Sequence, residues 1–239
     1  MLAEPRFREP ILREPLNEKF ERIEKVRGTE LTIAMGFYCE NGVVLAADRR
    51  GTNGKRVSEV EKVFQISPTG LVAFSGNDYT WIKEFMWLVR ENTKASDMET
   101  IKATIHAYEK NLDRRFGNRP PTIADFSGIL ATYGEYPALY QFGPWQGFDY
   151  GGESGRLVIG SASEAAEPFL RLAETFQRKM DFQPWRSLST TLVERFAYVL
   201  VDSLSKYDAT VHGAQVFCLG RTHDSCNRAH EQSFSAFPT

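Results

Sequence analysis

Residues 27–52, RGTELTIAMGFYCENGVVLAADRRGT, constrain the fold more than any other segment of this chain. Two apolar runs, residues 31–39 and 43–48, lie on either side of Glu40-Asn41-Gly42. The Asn-Gly pair is a strong hairpin signal, because both residues accept a positive φ. The segment therefore predicts two antiparallel strands joined by a tight turn.

Charged residues gather where the second of these strands ends. Asp48 and Arg50 are two residues apart, so a continuous strand would place both on one face. Lys62 directly precedes the next apolar run, VFQI, and Thr32 opens the first strand. Spacing alone permits two interpretations. The charges form a solvated ion-pair cluster of little energetic value, or they support a nucleophile at Thr32.

The rest of the chain alternates groups of strands with pairs of helices. Alternating or continuous apolar runs predict strands at KVFQIS, LVAFSG, FSGILATY, ALYQFG, RLVIGS and AQVFCL. Helical periodicity predicts four helices, at residues 77–93, 98–116, 163–180 and 185–206. The order ββββααβββααβ predicts an α+β domain in which two packed sheets carry helices on their outer faces.

The first two predicted helices carry clear apolar stripes. One contains Trp81, Ile82, Phe85, Leu88 and Val89, and the other contains Ile101, Ile105, Tyr108 and Leu112. Either Asn77 or Asp78 can cap the first helix. Because Trp81, Phe85 and Trp87 together offer much aromatic surface, we expect part of this helix to face a neighbouring subunit.

Composition excludes several classes of protein. Hydrophobic residues make up 42% of the chain and charged residues 25%, as in ordinary globular proteins. The net charge of −2 creates no field that favours nucleic acid or an anionic membrane. The first 28 residues lack the apolar centre of a signal peptide, and no run is long enough to span a membrane. Cys39, Cys218 and Cys226 form no CxxC motif, which is typical of reduced thiols. We therefore expect a soluble, cytoplasmic protein.

Motifs for cofactors and metals are missing. The chain contains no GxxxxGK[ST] loop, and GGESG lacks the strand-to-helix setting of a dinucleotide turn. The stretch HEQSF at residues 230–234 lacks the second histidine of a zinc-protease helix. We expect neither a metal nor a cofactor.

Four motifs, LTIAMGF, ENGVVLAADRRGT, EKVFQI and VAFSG, resemble the β-type subunits of the proteasome and their bacterial relatives, the N-terminal-nucleophile (Ntn) hydrolases. The similarity extends from about residue 31 to 219 and is densest before residue 76. The resemblance implies a four-layer αββα sandwich, in agreement with the element order. It also implies a threonine-type peptidase without a cofactor that assembles into a ring-like homo-oligomer or a proteasome-like assembly. Its implied substrates are peptides or unfolded proteins, and an ATPase unfoldase is a further implied partner.

The resemblance implies roles for the residues at the strand ends. Thr32 matches the N-terminal nucleophile, because Asp48 follows it by the family's usual interval of 16 residues. Asp48, Arg50 and Lys62 match the charged residues that flank this nucleophile. A threonine hydroxyl is a weak nucleophile and needs a base, which a free α-amine of the same residue supplies.

The resemblance also implies a second group of site residues. Thr52 matches the residue that binds the substrate main chain, and Gly76 the glycine whose N–H helps to form the oxyanion hole. Ser161 and Asp208 match the polar support of the threonine amine. The second serine expected after this acid is absent, with Thr210 in its place. Two simpler interpretations stand beside these, since Gly76 could form a turn before a helix and Ser161 could cap the next helix.

A catalytic Thr32 requires cleavage of the bond between Leu31 and Thr32. We therefore expect residues 1–31, with a short helix at 17–26, to be an N-terminal extension or propeptide. Residues 32–220 form the proteasome-like domain, and residues 221–239 a polar tail. The family usually has glycine before its threonine, and the pair Gly28-Thr29 offers an alternative start. Two other hypotheses stay open: a noncatalytic structural subunit of similar fold, and an amidohydrolase that acts on small amides.

Overall fold

The computed structural model describes residues 32–53, 56–76, 78–117, 126–151, 155–180, 185–207, 211, 213–221 and 227–231. The predicted propeptide and Asp208 lie outside these residues. Two five-stranded antiparallel sheets and one separate hairpin make up the β structure.

The first sheet has the order β10-β1-β2-β11-β12. Its strands are, in chain order, β1 (Ala34–Cys39), β2 (Gly42–Asp48), β10 (Arg156–Ile159), β11 (Ala214–Arg221) and β12 (Asn227–Glu231). The second sheet has the order β5-β6-β7-β8-β9. Its strands are β5 (Val63–Ser67), β6 (Gly70–Gly76), β7 (Phe126–Tyr133), β8 (Pro137–Gly143) and β9 (Gly147–Tyr150). The hairpin consists of β3 (Arg50–Asn53) and β4 (Arg56–Glu59).

In the described part of the chain, four helices lie outside the sheets: α1 (Tyr79–Glu91), α2 (Asp97–Phe116), α3 (Ser163–Lys179) and α4 (Thr190–Tyr207). Apolar side chains of α1 and α2 pack with Phe74 and Phe142 of the second sheet. Those of α3 and α4 pack with Met35 and Phe37 of the first sheet. Residues such as Leu45, Leu71 and Ile129 fill the space between the two sheets. The result is the predicted four-layer αββα sandwich.

The opening hairpin forms as predicted. Ala34 pairs with Ala47, and Cys39 pairs with Gly42 at the turn. Every residue of both strands is buried, because one face packs on the helices and the other on the second sheet. Burial on both faces explains why these strands are apolar along their length, without the alternation of a half-exposed strand.

The predicted helix stripes face the core. Asp78 is the N-cap of α1, where its side chain accepts a hydrogen bond from the Thr80 N–H. Trp81 is 9% exposed and Phe85 is fully buried, so both belong to the core of their own chain. The prediction that these rings face a neighbouring subunit is therefore wrong for Trp81 and Phe85, and it stays a prediction for Trp87, which is 59% exposed.

Four of the described strands, β3, β4, β9 and β12, were not predicted. The hairpin β3–β4 and the short strand β9 carry glycine or charged residues in place of an apolar run. The segment β12 lies in the predicted polar tail, yet it pairs with β11 from Phe217↔Glu231 to Arg221↔Asn227.

The fourth helix begins at Thr190, five residues later than predicted. Trp185, the predicted start, has a φ of 65°, which lies outside the helical range. Its ring is fully buried against Phe37.

Candidate active site

Thr32 lies two residues before β1, and hydrogen bonds fix its amide, its carbonyl and its hydroxyl. Its N–H donates to Ser161 Oγ at 3.0 Å, and its carbonyl accepts from the Ala162 N–H at 3.2 Å. Its hydroxyl is hydrogen-bonded to the Ser75 hydroxyl. The residue is only 8% exposed. Thr32 therefore has a fixed position between Ser161, which follows β10 of the first sheet, and Ser75 of the second sheet.

Beside Thr32, Asp48 and Lys62 form a buried ion pair. The Lys62 ammonium donates to both carboxylate oxygens of Asp48, at 2.9 and 3.0 Å. The side chains of Lys62 and Asp48 are 1% and 0% exposed. Asp48 also accepts the Ile33 N–H at 2.9 Å. Because one carboxylate oxygen serves both Ile33 and Lys62, the ammonium lies next to the chain segment that carries Thr32.

The buried pair is costly to the fold. Burial raises the pKa of the Asp48 carboxyl, against the opposite effects of the Lys62 charge and of the N–H donors of Ile33 and Arg50. Removing two charges from water costs several kcal/mol per ion, and their attraction offsets this cost only in excellent geometry. A pair of this kind is poor evidence for a stabilising role. It is the arrangement expected where a charge has a chemical task.

Arg50 reaches this site through its backbone. The strand β2 ends at Asp48, and Arg50 begins β3 in the separate hairpin. The prediction that the two side chains share one strand face is wrong, because the chain leaves the sheet at Arg49. The Arg50 N–H donates to Asp48 at 3.0 Å. Thr52 lies in β3 opposite Val57, and its side chain is outside the described part of the structure.

Ser161 contacts Thr32 directly, and Gly76 follows Ser75, which contacts Thr32 as well. Gly76 is the last residue of β6, pairs with Phe126, and directly follows Ser75. Ser161 precedes Ala162, which is the N-cap of α3 and makes no side-chain capping bond. Ser161 therefore does not cap this helix, and its hydroxyl accepts the Thr32 N–H.

Gly160 is required by the close approach of the site residues. Its φ is +103°, a conformation that other residues rarely adopt. A Cβ at this position would lie 2.2 Å from the Thr32 carbonyl oxygen and 2.3 Å from Ser75 Oγ. Only glycine allows the segment before α3 to pass this close to Thr32.

Two site residues were missed by sequence analysis, Ser75 and Gln215. Ser75 is 4% exposed, on the face of β6 that also carries Leu71 and Ala73 into the space between the sheets. Gln215 is 2% exposed, and its side-chain oxygen accepts the N–H groups of Lys62 and Val63 at 2.8 and 3.0 Å. Each is a polar residue within an apolar strand, and this was the available signal.

Gln215 positions Lys62 from the first sheet. Its amide N–H donates to the Val63 carbonyl at 3.1 Å, in addition to the two bonds that its oxygen accepts. These bonds join β11 to the start of β5 across the two sheets. The backbone of Lys62 is therefore fixed where its side chain reaches Asp48.

Among the residues that the structure describes, no group of three or more His, Cys, Asp or Glu side chains is placed to hold a metal ion. Within the same residues, no helix has the length and apolar character needed to cross a membrane.

Comparisons with known proteins agree with this architecture. Residues 30–181 match the proteasome subunit family. Proteasome subunit beta 1 of Thermococcus onnurineus is 32% identical over 134 residues, which cover 49% of this chain and 57% of that protein. The match thus spans little more than half the length of that relative.

Solved structures of Anbu proteins share the fold. The Anbu complex of Pseudomonas aeruginosa, described as a helical assembly, matches with a TM-score of 0.67 and 17% identity over 84% of this chain and 86% of that chain. Anbu of Yersinia bercovieri, described as an ancestral beta-subunit, matches with a TM-score of 0.65 and 16% identity over the same shares. The fold is that of the proteasome-like Ntn hydrolases, and the family match covers more than half of the sequence. This chain belongs to the proteasome subunit family.

Proposed function

We propose that the protein is a threonine-type peptidase that hydrolyses peptide bonds through Thr32, after cleavage of the bond between Leu31 and Thr32. One observation carries the proposal: Asp48 of the fully buried Lys62–Asp48 pair accepts the N–H of Ile33, the residue directly after Thr32, and the Thr32 hydroxyl is itself held by Ser75. Burial of such a pair costs free energy of folding, and the support of a nearby nucleophile accounts for its presence.

The α-amine of a cleaved Thr32 is the general base. A free α-amine has a pKa of roughly 7.7–8.0, so part of it is neutral near pH 7. It takes the hydroxyl proton while Oγ attacks the substrate carbonyl carbon. The positive charge of Lys62 favours the developing alkoxide, and Asp48 keeps this ammonium charged and in place. Ser161, whose hydroxyl already accepts the Thr32 N–H, orients the amine.

The remaining site residues bind the substrate, stabilise the oxyanion or support the α-amine of Thr32. The Gly76 N–H stabilises the oxyanion, an effect of about 3 kcal/mol for comparable donors. Thr52 binds the substrate main chain, Arg50 fixes Asp48 through its N–H, and Asp208 supports the amine. When the tetrahedral intermediate collapses, the amide C–N bond breaks and the leaving amine takes the proton from the α-amine. Water then hydrolyses the threonine ester.

The same hydroxyl releases residues 1–31. The Thr32 Oγ attacks the Leu31 carbonyl carbon, the C–N bond breaks, and the acyl group moves to oxygen as an ester. Water hydrolyses this ester and leaves Thr32 with a free amine. The N–H of Thr32 is already bound to Ser161 Oγ in the uncut chain, which places a hydroxyl beside the nitrogen that departs.

The deciding experiment combines intact-mass analysis with turnover of fluorogenic peptides. We expect a chain that begins at Thr32 and hydrolyses peptides, while Thr32→Ala stays uncut and shows no turnover above buffer. Thr104→Ala is the matched control, because this buried threonine bonds only within α2, to the Thr100 carbonyl. It should keep normal activity.

Other outcomes of this experiment contradict the proposal in distinct ways. A chain that begins at Thr29 moves the nucleophile by three residues. An uncut and inactive wild-type chain supports the noncatalytic subunit instead. Turnover of small amides without turnover of peptides supports the amidohydrolase.

Ser75 orients the nucleophile in this mechanism, because its hydroxyl is bonded directly to that of Thr32. Loss of one hydrogen bond predicts a decrease of about tenfold in kcat for Ser75→Ala, with little change in KM. Ser127→Ala is the control, since Ser127 pairs with Ser75 across the adjacent strand but has no contact with Thr32 among the described bonds. Equal turnover in the two variants would remove Ser75 from the mechanism.

We further propose that the protein acts as a homo-oligomer in the cytoplasm on peptides or unfolded proteins, with an ATPase unfoldase as partner. The Pseudomonas aeruginosa neighbour described as a helical assembly supports self-assembly. Within the described residues the Cys39 thiol forms no disulfide, which agrees with a reducing compartment.

A further inference from the structure

Strand β11 contacts both members of the buried ion pair through two neighbouring residues. The backbone of Ala214 pairs with that of Asp48. The next side chain, Gln215, points into the space between the sheets, on the face of β11 that also carries Leu219 into the apolar cluster there. Its oxygen accepts the Lys62 N–H at 2.8 Å. The backbone positions of the carboxylate and of the ammonium therefore both depend on β11.

The Gln215 amide takes the place of a neighbouring strand at the start of β5. In the described structure β5 is the end strand of the second sheet and pairs with β6, whose Phe74 N–H binds the Lys62 carbonyl at 3.0 Å. The Gln215 side chain accepts the Val63 N–H at 3.0 Å and donates to the Val63 carbonyl at 3.1 Å. One amide thus makes with Val63 the two bonds that a residue of an antiparallel partner strand would make.

The chemistry of position 215 is narrowly defined. Gln215 is 2% exposed, so the three backbone groups that it binds depend on its amide. An apolar side chain would fill the space but would leave these buried groups without their bonds, which is unfavourable. Asparagine offers the same donor and acceptor on a side chain that is one methylene shorter. Both the amide and its reach are therefore required.

The bonds of Gln215 lead to Thr32 through the ion pair. Gln215 fixes the backbone of Lys62, and the Lys62 ammonium donates to both oxygens of Asp48. One of these oxygens accepts the N–H of Ile33, the residue after Thr32. Each of these bonds is 2.8–3.0 Å long. A shift of the Lys62 backbone would therefore move the ammonium relative to the segment that carries Thr32.

We propose that Gln215 is a positioning residue for hydrolysis at Thr32: its amide holds Lys62 where the ammonium favours the developing alkoxide. This inference rests on the proposed function, in which the Lys62 charge takes part in the chemistry. The described hydrogen bonds of Gln215 all go to the backbone of Lys62 and Val63. Because Gln215 acts on turnover only through Lys62, its loss should lower kcat and leave KM nearly unchanged.

The first test measures kcat and KM with fluorogenic peptides. Gln215→Met keeps the length of the side chain and removes its donor and its acceptor. The kcat should fall about tenfold or more, as for other small displacements of catalytic groups, while KM should change by less than about twofold. Gln215→Glu should recover most of the loss, because burial favours the uncharged carboxyl, which accepts and donates as the amide does. Gln215→Asn replaces Gln215→Met if the latter does not fold, and it should also lower kcat.

Tyr38→Phe is the matched control. The Tyr38 hydroxyl accepts the Leu139 N–H at 3.0 Å, so this side chain also joins the first sheet to the backbone of the second. Tyr38 lies six residues after Thr32, which corresponds to about 20 Å of extended chain. Urea denaturation should show a loss of stability for Tyr38→Phe as for Gln215→Met, but only Gln215→Met should lower kcat.

The second test needs no turnover and uses the full chain in the Thr32→Ala background. Acetylation by an N-hydroxysuccinimide ester is followed from the masses of the peptides that contain Lys62 and the exposed Lys110, which serves as internal reference. Lys62 is 1% exposed, so it should react slowly in the parent chain. Gln215→Met should accelerate its acetylation at least several-fold, and Tyr38→Phe should not.

The two tests separate failure of this inference from failure of the proposed function. If Gln215→Met matches Tyr38→Phe both in kcat and in acetylation of Lys62, the inference is overturned, while turnover that depends on Thr32 still supports the peptidase. An uncut, inactive wild type rejects the proposed function and with it the part of Gln215 in hydrolysis. Acetylation then still shows whether Gln215 holds Lys62 in place.

Discussion

The chain contains two groups of ion pairs that use similar chemistry in opposite surroundings. Lys62 and Asp48 meet at 2.9 Å between the sheets, with almost no exposure. Arg156 binds Glu167 and Glu174 at the surface of α3, where the glutamates are 34% and 14% exposed. The first group contacts Ile33, the residue after Thr32, and the second joins β10 to the outer surface of α3. Burial, rather than bond length, separates the pair to which we assign a chemical task from the group at the surface.

The two groups shift their carboxyl pKa values in opposite directions. Burial is the largest effect at Asp48 and raises its pKa. Burial also acts on Glu167, but the hydrogen bonds from Arg171 and Arg156 outweigh it and lower the pKa of Glu167. The fold therefore makes ionisation of Asp48 harder and ionisation of Glu167 easier. Only the second situation favours the folded state at neutral pH.

The largest effect is expected for Lys62→Met, which removes the charge and keeps much of the side-chain volume. Turnover of fluorogenic peptides should vanish, because the alkoxide loses its neighbouring cation. The free energy of unfolding should fall by about 3–5 kcal/mol, since Asp48 is left buried without its partner. Urea denaturation measures the second effect. Near-normal activity would contradict the role of the pair.

The double variant Lys62→Met with Asp48→Asn sharpens this test. Without a buried charge, the protein should regain at least about 1 kcal/mol of the stability lost in Lys62→Met, because neutral replacements of buried pairs are well tolerated. Turnover should stay absent. Stability would then recover in part while activity would not, although the same two positions determine both. A double variant less stable than Lys62→Met would show instead that the carboxylate stabilises the fold through Ile33 and Arg50.

The sequence predicts those parts of the structure whose signals come from residues close together in the chain. The hairpin of β1 and β2 was predictable because an Asn-Gly turn and two apolar runs are local features. Ser75 and Gln215 were not, since their partners lie 43 and 153 residues away and depend on how the two sheets are stacked. The stripe of α1 was identified correctly, but Trp81 and Phe85 were assigned to a neighbouring subunit, because periodicity shows that a face is apolar and does not show what covers it.

Helix α3 shows the same limit, because its sequence does not reveal which of its apolar residues are buried. Its sequence is amphipathic, and sequence analysis identified the helix itself. Residues Ala166 and Leu170 point to the core, while Phe169 and Phe176 do not. All four residues fit a helical period, so only the packing of α3 on the first sheet separates the inner from the outer apolar residues.

A smaller effect is expected for Arg156→Met. The guanidinium binds two carboxylates and its side chain is 13% exposed, so the loss should cost about 1.5–3 kcal/mol of unfolding free energy, as for other hydrogen bonds to charged groups. Turnover per active site should change by less than about twofold, because the replaced group has no contact with Thr32 in the described structure. A loss of activity comparable with that of Lys62→Met would remove the functional distinction between the two groups.

The smallest effect on the free energy of unfolding is expected for Glu167→Gln, and the test is how this effect changes with pH. The pKa of Glu167 is lowered in the folded chain, so the unfolded chain binds its proton more readily. The resulting stabilisation is fully present above the unfolded pKa and is lost as the pH falls through the folded pKa. Because Glu167 is partly exposed, the difference in unfolding free energy between wild type and variant should be at most about 1 kcal/mol at pH 7. Urea denaturation from pH 7 to well below 4.5 should show this difference shrinking to zero, and added salt should reduce it at pH 7. A difference that grew on acidification would mean that burial, as at Asp48, dominates at Glu167 too.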